Sequence, residues 1–152
     1  MKKYFTLIVL SLTLVLSCEK DDICLDNTTP NLILKFYDFE KDTIVKKVLI
    51  DSIKAIDNAI IEGYTKKTLD SILIPLDLNE FKTVYKISSG GKSDTIYFSY
   101  GRNDVFVSRS CGYKTIFENL KIDSFTNNWI KSYNINNTTI NNDTTAHINI
   151  YH

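Results

Sequence analysis

Apolar residues recur at every second position in short runs along this chain, and the runs are broken by turn-forming residues. Leu32, Leu34 and Phe36 alternate with Ile33, Lys35 and Tyr37. Ile72, Ile74 and Leu76 repeat the spacing, as do Ile96, Phe98 and Tyr100, and Ala146, Ile148 and Ile150 repeat it near the end. Period two with bulky side chains specifies strands with one face inward. The expected strands are 31–38, 43–53, 71–76, 82–88, 95–100, 104–110 and 146–151, with 59–64 as a weaker candidate. Pro75 suggests an edge or a strand end. Ser89-Gly90-Gly91-Lys92 is the strongest hairpin signal, and Gly101-Arg102-Asn103 reads as a connection between two strands. Residues 113–125 carry apolar residues at both strand and helix spacings. Trp129-Ile130 is expected to pack onto the body, and asparagine-rich 134–143 to turn between two short edge strands. In the last strand Ala146, Ile148 and Ile150 are expected inward, with His147, Asn149 and Tyr151 outward.

Seven to nine short strands without a long amphipathic helix predict an all-β fold. The expected architecture is a two-layer antiparallel β-sandwich of the immunoglobulin-like or Greek-key type, with a small barrel as the alternative. The Tyr and Phe content supplies a core for it.

The three cysteines bear on where such a domain sits. Lys2 and Lys3 precede the apolar run 6–16, which is about half the length that spans a bilayer. A basic start, a short apolar run and small Ser17 before Cys18 fit a lipoprotein export signal. We therefore expect a signal peptide over 1–17, a lipidated arm over 18–30 with the lipid on Cys18, and the sandwich over 31–152. Lys20, Asp21 and Asp22 behind the lipid site resemble the surface-export signal of Bacteroidota lipoproteins; a solvated linker would look similar. Outer-membrane attachment with exposure at the cell surface is expected, the periplasmic face being the alternative. Lipidation uses one cysteine and leaves Cys24 and Cys111 in an oxidising compartment, so a disulfide is expected between them. Two unpaired thiols are the other reading. The bridge would hold the body within six residues of the lipid, about 20 Å when extended.

Charge and motif content narrow the function. The full chain has 18 basic and 18 acidic residues, and loss of Lys2 and Lys3 leaves a net charge of −2. That balance lacks the basic footprint nucleic acid requires, so the lipid must supply membrane attachment. His147 and His152 have no Cys or His neighbours at zinc-site spacing, and are expected to be an exposed strand-face histidine and a C-terminal residue. Asp38, Glu40 and Asp42 read as a solvated turn rather than a glycosidase pair. No nucleophile elbow, phosphate loop or dinucleotide motif occurs. Asp followed by Ser or Thr and then an apolar residue or Thr recurs, placing Thr43, Ser52, Ser71, Thr95 and Thr144 in a pattern resembling Bacteroidota O-glycosylation sites. Strand entry after an Asp-containing turn produces the same pattern.

The order of these features resembles a small Bacteroidota lipoprotein family of unknown function. The resemblance runs from Cys18-Glu19-Lys20-Asp21-Asp22-Ile23-Cys24 through Thr29-Pro30-Asn31-Leu32, Phe36-Tyr37-Asp38 and Ile74-Pro75-Leu76. Tyr100, Ser108-x-Ser110-Cys111-Gly112-Tyr113 and His147-Ile148-x-Ile150-Tyr151 complete it. It implies lipoprotein character and a two-cysteine frame, carries over no active site, and suggests companions of outer-membrane proteins. The expected protein is a non-catalytic monomer without cofactors or metal, attached to the membrane by its lipid and binding or supporting another envelope protein. A surface glycan- or peptide-binding module is the alternative, and a hydrolase comes third.

Overall fold

The structure is a computed structural model and describes residues 24, 29–56 and 58–152. Among the described residues nine strands make up the regular structure: β1 Leu32–Tyr37, β2 Val48–Ala55, β3 Lys67–Leu69, β4 Ser71–Ile74, β5 Lys82–Ser89, β6 Lys92–Ser108, β7 Gly112–Phe125, β8 Ser132–Ile135 and β9 Ile148–Tyr151. They form two sheets, with orders β4-β1-β9-β8 and β3-β2-β5-β6-β7. The core between them draws Leu32, Leu34, Phe36, Ile72, Ile148 and Ile150 from the first sheet. Ile50, Ile53, Tyr85, Ile87, Ile96, Phe98 and Phe117 come from the second. The fold is the expected all-β sandwich, with one difference. β1 and β9 run parallel, Leu34 opposite Ile148 and Tyr37 opposite Tyr151, while the other pairs are antiparallel.

The β5–β6 hairpin forms where expected. Gly90 and Gly91 have φ of 56° and 73°, the two positive values a two-residue primed turn requires. Ile96, Phe98 and Tyr100 are buried, as alternation dictates. The expected break at Gly101-Arg102-Asn103 is absent: β6 continues through it as a strand of 17 residues. A register shift at Ser99/Gly101 absorbs the irregularity, opposite Asn119, whose φ is 55°. An extra left-handed residue reverses side-chain parity, so Phe117 and Leu120 both point inward although three positions apart. That is why 113–125 shows two spacings: it is the bulged strand β7.

Other boundaries also move. The 43–53 strand begins at Val48 and continues to Ala55, and a register shift between Ile50 and Ser52 lets Ile50 and Ile53 share the core face. In 59–64 only a bridge from Ile60 to Lys54 forms, and β3 lies beyond it. β4 stops at Ile74, before Pro75. The asparagine-rich segment is no simple turn between edge strands. β9 lies inside its sheet, and the connection from β8 crosses to β7. There Ile140 exchanges both backbone hydrogen bonds with Phe117 (3.0 and 2.8 Å) and is fully buried. This contact covers part of the β7 edge.

Asp94 ties the end of β7 to the sandwich. Its buried carboxylate accepts from the Thr126 hydroxyl and from the backbone N–H groups of Asn128, Trp129 and Ile130, at 2.7–2.8 Å. Trp129 and Ile130 are buried, and the indole N–H donates to the Ile87 carbonyl at 3.1 Å.

Candidate functional site at the disulfide-tied end

Beyond Gly101, β6 and β7 continue as a two-stranded hairpin. Arg109, Ser110 and Cys111 form its three-residue loop, closed by Gly112 with φ 71°. The Ser108 hydroxyl accepts from the Cys111 N–H at 3.1 Å. Cys111 is joined to Cys24 in a disulfide with Cα atoms 4.9 Å apart, closing a separation of 87 residues. A second tie lies further down the hairpin, where the Thr115 N–H donates to the Thr29 hydroxyl at 3.0 Å. The arm is thus fastened to the hairpin of one sheet immediately before it enters β1 of the other.

The hairpin carries an exposed aromatic pair. Phe106 and Tyr113 are register partners, 58% and 71% exposed, with ring centroids 5.4 Å apart in a T-shaped contact. Arg109 in the loop is exposed and Lys114 half-buried. The Asp104 carboxylate accepts from the Thr115 hydroxyl at 2.6 Å, two cross-strand pairs nearer the body and on the same face.

The remaining candidate residues are scattered. Cys18, Lys20, Asp21 and Asp22 lie outside the described residues, as does the 1–17 segment. Thr43 and Thr144 are exposed outside the strands. Ser52, Ser71 and Thr95 are half-buried within β2, β4 and β6, and the Ser71 hydroxyl donates to the Asp70 carboxylate. Asp38 forms the expected turn, accepting from the Glu40 and Lys41 N–H groups. The Lys46 ammonium, 2.8 Å away, leads in holding its carboxyl down at about 2, with the Lys41 N–H assisting.

His147 contradicts the outward placement. It precedes β9 and is fully buried, its Nδ1 accepting the Ile33 N–H at 3.1 Å while its own backbone N–H donates to the Ile33 carbonyl. The side chain extends the β1–β9 pairing by one step. Its Nε2 is buried without a hydrogen-bond partner. Burial lowers its pKa, against a smaller upward pull from Asp143, so the ring is neutral at neutral pH. His152 is half-buried, set edge-on to Phe36 and Trp129.

Among the described residues no group of three or more His, Cys, Asp or Glu is placed to hold a metal ion. A shallow groove of about 300 Å³ is lined by Ala55, Ile61, Pro75, Asp77 and Tyr85. Its polar groups are committed to the fold: the Tyr85 hydroxyl donates to the Pro75 carbonyl and the Asp77 N–H to the Thr83 hydroxyl.

A family model described as a family of unknown function, DUF6452, matches residues 51–152. The chain belongs to the DUF6452 family. The matched span contains Asp94, Cys111 and His147, while Cys24 and β1 precede it. No curated protein and no solved structure matches this DUF6452 member. Its disulfide-tied hairpin is therefore read from its own geometry.

Proposed function

We propose that this protein is a non-catalytic lipoprotein of the outer membrane, lipidated on Cys18, that holds its sandwich against the bilayer and binds or supports another envelope protein there. The observation that carries the reading is the Cys24–Cys111 disulfide. Cys24 follows Cys18 by six residues, which reach about 20 Å at most. A sandwich on a long flexible tether meets partners far from the surface; one fastened within that reach meets partners in or on the membrane. The oxidising compartment that a stable disulfide requires agrees with export. Lys20, Asp21 and Asp22 favour the outward face, and Thr43 and Thr144 are the best-exposed positions for a glycan.

Two measurements test the reading. Cells fed an alkyne fatty acid should label the protein, and Cys18→Ser should abolish the label. Labelling that survives the substitution overturns the anchor. Crosslinking on intact cells should then recover one specific outer-membrane protein. Retained glycan binding without such a partner would favour the glycan-module alternative.

A further inference from the structure

We propose that the tip of the β6–β7 hairpin is a second membrane contact, with the Phe106–Tyr113 ring pair seated in the lipid headgroup layer. The proposal rests on the anchored reading above. The disulfide joins Cys24 to the loop of this hairpin, two residues from Tyr113. Of the exposed aromatic residues, the ring pair is thus fastened closest in sequence to the lipid, within the short reach of residues 18–24. Both rings stand well clear of the body, and they touch each other. An exposed aromatic pair is poorly placed in water, but aromatic rings, tyrosine especially, favour the boundary between headgroups and acyl chains. Arg109 stands exposed in the loop between the two ring positions, Lys114 lies on the opposite face of the hairpin, and Asp104, on the ring face, accepts from Thr115 toward the body. Without Lys2 and Lys3 the chain carries a net charge of −2, so the rings rather than electrostatics carry the contact.

The occupant is lipid and not a groove-binding peptide, because the covalent tie brings the bilayer to this end whatever else binds. One lipid at the end of the arm leaves the orientation of the domain unfixed. A second contact beside the tie would fix its orientation and present the opposite end, with the β1–β2 turn, to the surroundings.

The test uses the full-length lipidated protein reconstituted into phosphatidylethanolamine–phosphatidylglycerol vesicles. An indole is introduced at the tip by Tyr113→Trp and, separately, by Phe106→Trp. Phe39→Trp in the β1–β2 turn serves as a control at a position that is also more than half exposed. Emission from buried Trp129 is subtracted as a common background. With lipids brominated near the glycerol end of the acyl chain, the indole of either tip variant should lose most of its emission and resist acrylamide. The indole of the control variant should show the reverse. If the vesicles carry the protein but acrylamide quenches the tip variants as readily as the control, the tip contact is refuted and the anchor stands. If mass spectrometry finds no lipid on Cys18, both readings fall together.

Discussion

Asp94→Asn is the most direct test of how this sandwich is held closed. The carboxylate has four acceptor positions and four donors: one hydroxyl and three backbone N–H groups. Asparagine keeps the shape but has one oxygen, so its amide must face one pair of donors. The least costly arrangement turns the amide toward Thr126, whose hydroxyl can rotate to accept. The Asn128 N–H is then opposed and unpaired. A buried donor left unpaired costs ~1–3 kcal/mol, the lower end applying to this part-buried N–H, and each bond that loses its charge weakens by about 1 kcal/mol. Relief from burying a charge offsets part of the total, which leaves a net loss of about 3 kcal/mol. For a domain of this size that lowers the melting temperature by roughly 10–15 °C. Urea unfolding followed by fluorescence reads it well, because Trp129 is the single tryptophan and donates its backbone N–H to this carboxylate. A loss below about 1 kcal/mol would refute the reasoning. The sign with pH is a second check. Burial pushes the Asp94 pKa up, but the hydrogen bonds from Ile130, Thr126, Asn128 and Trp129 together outweigh it and hold the pKa below the ordinary value. The folded pKa is thus the lower one, so the contribution is complete above the unfolded value and is lost as pH falls below about 4. The gap between wild type and Asp94→Asn should narrow across that acid range.

Cys24→Ser should destabilise the domain by about 2–5 kcal/mol, since the chain-entropy value for so long a loop is about 4.5; a denaturation midpoint that neither the substitution nor a reductant moves would count against the bridge. His147→Ala should cost about 1–3 kcal/mol by leaving the Ile33 N–H unpaired, whereas His147→Gln retains an acceptor and should cost less. The folded pKa of His147 is the lowered one, so wild-type stability should fall as pH drops below about 6.5. His152, also lowered by burial, contributes in the same direction; a melting-temperature series in which His147→Gln keeps the full pH slope would assign the effect to His152 instead. Tyr64→Phe removes the hydroxyl that bonds both the N–H and the carbonyl of Leu73 on β4. It should cost about 0.5–1.5 kcal/mol and expose a sheet edge, seen as concentration-dependent association in size-exclusion chromatography.

Where local chemistry decides the backbone, the sequence was legible. Two adjacent glycines specify the β5–β6 turn, and the strict alternation of 95–100 specifies an inward face. Reading failed where one residue changes parity. Asn119 in the left-handed region makes β7 resemble a helix in its spacing, and the shift at Ile50/Ser52 does the same on a smaller scale. It failed again where the partner is distant. The β1–β9 parallel pairing joins the two ends of the domain, and no local signal marks it. His147 was misplaced because alternation describes a residue only inside its strand. β9 begins one residue later, and the backbone on either side of His147 is held by Ile33 and by Asn136. The disulfide was legible for another reason: the expected export and the cysteine count left few other pairings.

The two ties on the arm also determine how the domain meets a pull from the membrane under the proposed anchoring. Without the disulfide, a force on the N-terminus would enter at β1 and peel it from β4 and β9, pairs of four residues each. With it, the force crosses from Cys24 to Cys111 and enters the β6–β7 hairpin, where the two strands pair over most of their length. Everything between the two cysteines, from β1 through β6, lies inside a covalent loop and cannot be drawn out while the bridge is intact. The load passes to β7, whose far end is fastened through Asp94 to Thr126, Asn128, Trp129 and Ile130. The buried carboxylate and the surface disulfide thus stand at opposite ends of one strand. An anchored domain needs both: the disulfide directs the strain into β7, and Asp94 keeps β7 and the segment after it from coming away.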